Sequence, residues 1–115
     1  MIRFVALSIG LVLASVSWSQ TPCENGVADG YPCSGLDLLS VRTVQDLGGG
    51  QNGNDCWGWV DSDSGREFVL FGRSNGLSIV EVTDPVNPVY LANVPTASVQ
   101  SLWRDVKVYN DHAFI

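Results

Sequence analysis

Short β-rich runs separated by strong turn signals fill the second half of the chain, and they restrict its fold more than any other feature. EFVLFGRS, at residues 67–74, is followed by Asn75-Gly76, after which LSIVEVT begins. Asn-Gly is the strongest short hairpin signal because both residues tolerate the positive φ of a type I′ turn. The pattern therefore predicts two antiparallel strands joined by a tight turn.

A proline-rich corner, DPVNP at residues 84–88, separates LSIVEVT from the next run, VYLANV. Each proline fixes φ and removes a hydrogen-bond donor from the sheet, so we expect the chain to bend there. We expect Pro95 to end the VYLANV strand, and the aromatic run CWGWV at residues 56–60 precedes EFVLFGRS. The four runs predict one antiparallel sheet of the size of a propeller blade.

An internal similarity at a spacing of 50 residues indicates a repeat. DCWGWV starts at Asp55 and DVKVYN starts at Asp105, and each has an aromatic residue in its fifth place. A turn and an apolar strand follow in both cases. A four-stranded unit that recurs about every 40–50 residues is typical of propellers. We predict an all-β, β-propeller-like repeat fold, and the chain ending at Ile115 is expected to be a fragment with about one blade and the start of the next.

The first 19 residues have the pattern of a secretory signal peptide. Arg3 precedes a charge-free apolar run at residues 4–16, which is too short to span a bilayer core of about 30 Å. Ser17 and Ser19 then supply small residues ahead of a cut before Gln20. We expect a secreted, extracellular or cell-surface protein whose mature chain has no transmembrane segment.

Three cysteines follow in the predicted mature chain. Cys23 and Cys33 bracket a polar, turn-rich loop, and a disulfide between them would contribute about 2–3 kcal/mol of stability. Cys56 is then expected to be buried in a strand or paired with a cysteine beyond Ile115. Metal binding is the weaker alternative, because three cysteines and one distant histidine lack the close ligand pairs of a structural zinc site.

Residues 20–55 are expected to form an N-terminal segment that carries this disulfide. LDLLSVRTVQDL, at residues 36–47, has a mixed pattern that fits either a short helical turn or an irregular crossing segment. GGGQNGND, at residues 48–55, is rich in glycine and predicts a flexible link.

The charge balance excludes some partners. Six Lys or Arg against twelve Asp or Glu give a net charge of −6, and the acidic residues are scattered along the chain. A protein of this charge is not expected to bind nucleic acid or anionic lipid electrostatically.

LSIVEVTDPVNPV resembles the LVIVD repeat, in which an apolar strand leads to Asp, then Ser or Thr, Asp-Pro and Asn-Pro; here Glu81 stands where the namesake Asp usually does. CENGVADGYPCSGLDLLS, GGGQNGNDCWGW, GREFVLFGRSNG and WRDVKVYNDHAFI are similar to the N-terminal part of choice-of-anchor B family proteins, which are secreted bacterial proteins. The resemblance covers essentially the whole mature chain and makes residues 56–115 LVIVD-type repeats. It implies a propeller-like fold and export, and it carries no established activity.

Four residues are candidates for binding. Asp55 and Asp105 would form a ring of carboxylates at a propeller mouth, suited to cations or sugars, or would cap backbone donors between blades. Trp103, like Trp57 and Trp59, could stack on a glycan, although aromatic residues at strand positions are more often core. Arg73 is the fourth candidate; it forms a polar pair with Asn75 on the predicted hairpin, although the Asn-Gly turn accounts for Asn75 on its own.

Two weaker candidates bear on metal and acid–base chemistry. Asp61 and Asp63 precede a glycine and could contact Ca²⁺, but a full site needs about 6–8 oxygens, and a solvent-facing hairpin turn explains the pattern better. His112 is the sole histidine, and it is expected at a hairpin tip because catalysis would need a partner and a nucleophile within reach.

These observations favour a non-enzymatic binding or structural module that recognises a protein or glycan at the cell surface. One alternative is a secreted hydrolase or lyase with a carboxylate-based site in the propeller mouth. Another is an adhesion domain stabilised by calcium. No other cofactor is expected.

Overall fold

The computed structural model describes residues 20–115, so the predicted signal peptide lies outside it. The described part is all-β, as expected, and none of its residues forms a helix that could cross a membrane. Its strands are β1 (Val27–Ala28), β2 (Tyr31–Pro32), β3 (Gly53–Val60), β4 (Glu67–Arg73), β5 (Gly76–Glu81), β6 (Val89–Pro95), β7 (Lys107–Tyr109) and β8 (His112–Phe114).

The main sheet has the order β3-β4-β5-β6, and every neighbouring pair is antiparallel. This arrangement confirms the predicted four-stranded sheet. The runs before and after the DPVNP corner are its third and fourth strands. Within the corner, the Asp84 carboxylate accepts hydrogen bonds from the Val86 N–H at 3.1 Å and the Asn87 side-chain amide at 2.9 Å. Asp84 therefore holds the bend that the two prolines begin.

The tight turn between β4 and β5 differs from its prediction. Arg73 pairs with Gly76, so the two loop residues are Ser74 and Asn75, and neither has a positive φ. The expected type I′ turn at Asn75-Gly76 is therefore wrong, although the hairpin itself is present. Glycine is needed at position 76 for packing, because a Cβ atom there would collide with the backbone oxygen of Val94 on β6.

A second hairpin, β7–β8, packs on the main sheet. Its loop residues Asn110 and Asp111 have φ values of 47° and 59°, which is the geometry of a type I′ turn. Val106, just before β7, has no exposed surface and joins Leu70 and Leu77 in the apolar core. This hairpin therefore covers one side of the sheet, which we call the front face.

The opposite side of the main sheet, here called the back face, is partly covered by the glycine-rich link. Ser78 is fully buried, and its hydroxyl donates a hydrogen bond to the Leu47 carbonyl at 2.6 Å. Leu47 itself is buried. Leu47 and the start of the link that follows it therefore pack against the β5–β6 side of the back face, and the β3 side of that face stays open.

The N-terminal segment is irregular apart from the short β1–β2 hairpin. Cys23 and Cys33 form the expected disulfide, with a Cα–Cα distance of 5.9 Å. Downstream, the Ser40 hydroxyl donates to the Pro85 carbonyl, at 2.9 Å, and the Arg42 guanidinium donates to that of Pro88, at 3.0 Å. Residues 36–47 thus cross the sheet as an irregular segment with a single turn at their end.

Candidate functional site

The four candidate binding residues lie toward one end of the main sheet. Gly53, Arg73, Gly76 and Pro95 are paired across the four strands at this end. We call this region the hairpin end, and it includes the β4–β5 turn, the start of β3 and the loop at residues 96–106. That loop is fixed in place because the Ser101 N–H donates to the carbonyl of Ser74, in the turn, at 3.1 Å.

Arg73 is enclosed at the hairpin end. Its side chain has no exposed surface, and its guanidinium donates to the Gly49 carbonyl, to Asn75 Oδ1 at 2.8 Å and to Asn93 Oδ1. Burial lowers the pKa of this guanidinium. Arg73 therefore joins the glycine-rich link, the β4–β5 turn and β6, and it offers no surface to a ligand.

Asp55, on β3, connects the β3–β4 hairpin of the main sheet to the β7–β8 hairpin. Its carboxylate accepts hydrogen bonds from the Val106 N–H at 2.9 Å and from Lys107 Nζ at 3.0 Å. The Val106 N–H and, after it, the Lys107 ammonium hold the pKa of Asp55 below its usual value. Lys107 Nζ also lies 5.0 Å from the centre of the Trp57 ring, a cation–π distance. Asp55 thus makes the contact that the capping interpretation predicts.

Trp103 and Asp105 are on the surface of the same end. The Trp103 side chain is 86% exposed, although its backbone N–H donates to the Ser101 hydroxyl at 3.1 Å. Asp105 is exposed, and its carboxylate has no hydrogen-bond partner within residues 20–115. The structure therefore brings the four candidates to one end but gives them different environments, with two used internally and two free.

The tryptophans considered for glycan stacking also differ. Trp59 belongs to the front face, where its ring centre is 5.3 Å from that of Phe68. Trp57 lies beneath Lys107 and is 39% exposed. Trp103 is the one of the three that stands clear of the protein surface, and the loop beside it also exposes Val99 and Leu102. Neither neighbour could be identified from the sequence, because residues in a loop carry no periodic signal.

The calcium candidates lie at the opposite end of the sheet, in the β3–β4 loop. The Asp61 carboxylate accepts hydrogen bonds from the Ser64 hydroxyl and from the Asp63 N–H, the latter at 3.3 Å. The Ser64 hydroxyl, followed by the Asp63 N–H, lowers the pKa of Asp61. No group of three or more His, Cys, Asp or Glu that could hold a metal occurs in the described range 20–115. A calcium site remains a prediction.

Cys56 and His112 lie on β3 and next to the β7–β8 turn, respectively. Cys56 lies on β3 but is exposed and unpaired in the described chain, so the expectation of a buried strand cysteine is wrong. His112 follows the β7–β8 turn, and its Nδ1 lies 2.6 Å from the carbonyl oxygen of Asn110. This is the hairpin-tip position that the sequence analysis proposed for His112.

Glu81 has a defined ion-pair partner. Arg66 donates from Nε to Glu81 Oε1 at 2.9 Å and from Nη2 to Oε2 at 2.5 Å. The Arg66 guanidinium also lies 5.1 Å from the centre of the Phe68 ring, and Phe68 pairs with Glu81 across β4 and β5. The ion pair therefore spans the exposed end of these two strands.

Comparisons of this chain with protein-family models, with curated proteins and with solved structures found no match.

Proposed function

We propose that this chain is the N-terminal part of a secreted or cell-surface β-propeller of the LVIVD-repeat, choice-of-anchor B type, and that it serves as a non-enzymatic binding module. In this proposal the hairpin end carries the binding surface, with Trp103 as its main contact. The ligand is a protein or a glycan at the cell surface.

The propeller part of the proposal is supported by matching strand registers in the β3–β4 hairpin and the β7–β8 hairpin. Trp57 pairs with Leu70 in the first, and Lys107 pairs with Phe114 in the second. Each residue of β7 is 50 positions beyond its counterpart on β3, and each residue of β8 is 44 positions beyond its counterpart on β4. This holds for all three pairs of β7–β8. The packing of β7 on the front face resembles the stacking of successive blades.

The binding part rests on the exposure of Trp103, which is the observation that carries the proposal. The Trp103 ring is 86% exposed, and backbone hydrogen bonds anchor the loop that carries it. The ring is therefore positioned to contact a partner. Aromatic anchors of this kind dominate the energy of many interfaces, and they also stack on sugar rings. Val99 and Leu102, which are 85% and 56% exposed, extend the apolar surface around it.

A binding role agrees better with the carboxylates than an enzymatic one. Both hydrogen bonds to Asp55 go to the same oxygen and come from fixed groups of the protein, so this carboxylate is used in joining the hairpins. A carboxylate-based hydrolase or lyase would depend on Asp105. That alternative predicts that Asp105→Asn abolishes turnover without lowering the thermal stability.

The test is binding of the purified protein to arrays of glycans and cell-surface proteins, followed by affinity measurements on each hit. Trp103→Ala should weaken binding by at least about tenfold, as expected for a hot-spot aromatic residue. Tyr31→Ala is the matched control, because Tyr31 is 50% exposed on the distant β1–β2 hairpin. Equal loss in both variants, unchanged affinity of Trp103→Ala, or hydrolytic turnover on glycan or ester panels would contradict the proposal.

A further inference from the structure

The chain contains three Asn-Gly dipeptides, at residues 25–26, 52–53 and 75–76, and the fold gives them different environments. In such a dipeptide the backbone nitrogen of glycine can attack the side-chain Cγ of asparagine, because glycine has no side chain that hinders the approach. The new C–N bond closes a succinimide ring, and the side-chain amide nitrogen leaves as ammonia. Solvent water then opens the ring to aspartate or to isoaspartate. In a folded chain the rate depends on the freedom of both reacting groups.

Both reacting groups are accessible at Asn52-Gly53, where β3 begins. Asn52 is exposed, and its side chain makes no hydrogen bond to any of residues 20–115. Gly53 pairs with Arg73, and the Ser74 N–H donates to the Asn52 carbonyl at 2.9 Å. This bond flanks a pair of the non-hydrogen-bonded type, in which the Gly53 N–H points away from β4. Since β3 is at the edge of the sheet, the attacking nitrogen faces the open edge.

Packing requires glycine at position 53. A Cβ atom there would collide with the ring of Phe71 on β4. A larger residue, which would hinder the attack on Asn52, is therefore excluded by the fold. The reactive dipeptide is a consequence of how β3 packs on β4.

Asn75-Gly76 is the opposite case, because both of its reacting groups are held. Asn75 Oδ1 accepts a hydrogen bond from the Arg73 guanidinium at 2.8 Å, and the Asn75 carbonyl accepts the Thr96 N–H at 3.1 Å. The second bond flanks the non-hydrogen-bonded pair of Gly76 with Pro95. The N–H of Gly76 therefore points away from β6 and toward its partner Arg73 on β4. Gly76 is also buried.

Asn25-Gly26 is intermediate. Both residues are exposed, and they have φ values of 52° and 82° in the turn before β1. Two backbone hydrogen bonds, one in each direction between Glu24 and Val27, close this turn. Ring closure changes the backbone geometry of the turn, so these bonds oppose it. We expect Asn25 to react more slowly than Asn52.

We propose that Asn52 is a site of spontaneous deamidation and isomerisation, and that it is the first of the three asparagines to convert. In the isoaspartate product the main chain runs through the former side chain and gains one carbon atom, while the former carbonyl becomes a free carboxylate. The Ser74 N–H then loses the geometry of its present bond. Because the Ser74 carbonyl accepts the Ser101 N–H, the change extends to the loop at residues 96–106. The proposal is independent of the repeat and of the binding function.

Peptide mapping by mass spectrometry after incubation of the purified, folded chain in mildly alkaline buffer tests the proposal. Cleavage after arginine places the three asparagines in different peptides. Asn52 should convert at least about tenfold faster than Asn75, the factor that corresponds to one hydrogen bond to a charged group. In denaturant the three should convert at similar rates. Conversion of Asn75 or Asn25 as fast as that of Asn52 in the folded chain, or an unchanged ranking in denaturant, would overturn the proposal.

Asn52→Gln is the matched control, because it keeps the amide but its longer side chain cannot close a five-membered ring. This variant should show no conversion at position 52 and unchanged rates at Asn25 and Asn75. Amide hydrogen exchange at Ser74 should be faster in the aged unmodified chain than in the fresh one, and equal before and after ageing in Asn52→Gln. Exchange at Ser74 that accelerates on ageing in both proteins would contradict the structural consequence assigned to Asn52.

Discussion

The carboxylate of Asp55 accepts a hydrogen bond at 2.9 Å from the backbone N–H of Val106, which lies 51 residues further along the chain. This bond joins the first strand of the main sheet to the start of the second hairpin. Lys107 reinforces it from the next position, at 3.0 Å. This hydrogen bond supports the proposal that the β3–β4 and β7–β8 hairpins are stacked repeat units.

The first prediction concerns pH and Asp55. Because the folded protein lowers the pKa of Asp55, its ionised form stabilises the fold above the unfolded-state pKa, and this contribution is lost as the pH falls through the folded-state pKa. Asp55→Asn should therefore lower the melting temperature at pH 7, and the difference from the unmodified protein should be smaller at an acid pH below the unfolded-state pKa of about 3.9. Thermal melts followed by circular dichroism, with Asp63→Asn as control, measure the difference. An equal loss at both pH values would contradict this reasoning.

The second prediction concerns Arg73, which is structural in this account. Arg73→Ala removes a buried side chain and leaves the Gly49 carbonyl and two asparagine oxygens without their donor at partly buried hydrogen bonds, and should destabilise the protein by about 2–4 kcal/mol. Arg42→Ala, which removes one partly buried hydrogen bond of an otherwise exposed side chain, should cost below about 1 kcal/mol. Denaturant unfolding measures both. Loss of ligand affinity by Arg73→Ala at unchanged stability would instead make Arg73 a binding residue.

The third prediction concerns the ion pair between Arg66 and Glu81. Arg66 lowers the pKa of Glu81, so the pair stabilises the fold above the unfolded-state pKa of that carboxyl and is lost as the pH falls through its folded-state pKa. Glu81→Gln should lower the melting temperature at pH 7, and the difference from the unmodified protein should vanish in acid. Glu67→Gln, one position from Arg66 on the exposed end of β4, is the control and should have no comparable effect.

The role of Glu81 shows where prediction from sequence ended. Strand runs and the DPVNP corner depend on local preferences, so the four-stranded sheet could be predicted. The partner of Glu81 depends on the register of β4 against β5, which aligns Phe68 with Glu81 and brings Arg66 within reach. A pattern within one strand holds no information on that alignment. The role of Glu81 therefore became clear only from the register.

The candidate site was predictable in its members but not in their environments. Alternation along a strand marks Arg73 only as a polar residue near a hairpin. Its burial results from the glycine-rich link, whose Gly49 carbonyl lies over the β4–β5 turn. The expected turn geometry is also absent, and Asn75 serves instead as an acceptor for Arg73. Long-range packing of an irregular segment decided these roles.

The fourth prediction concerns calcium. The Asp61 carboxylate is used by the Asp63 N–H and the Ser64 hydroxyl, so the β3–β4 loop holds its own shape without a cation. Adding chelator or millimolar Ca²⁺ should leave the melting temperature unchanged. A rise with Ca²⁺ that is abolished in Asp61→Ala would establish the calcium-stabilised alternative.

The central claim is that the β3–β4 and β7–β8 hairpins are stacked units joined by an aspartate. Amide hydrogen exchange at Val106 tests this claim most directly. The account predicts that the Val106 amide is protected in the unmodified protein, that Asp55→Ala makes it exchange faster, and that Asp63→Ala leaves it unchanged. A Val106 amide that exchanges in the unmodified protein as fast as in an unstructured peptide would contradict the account.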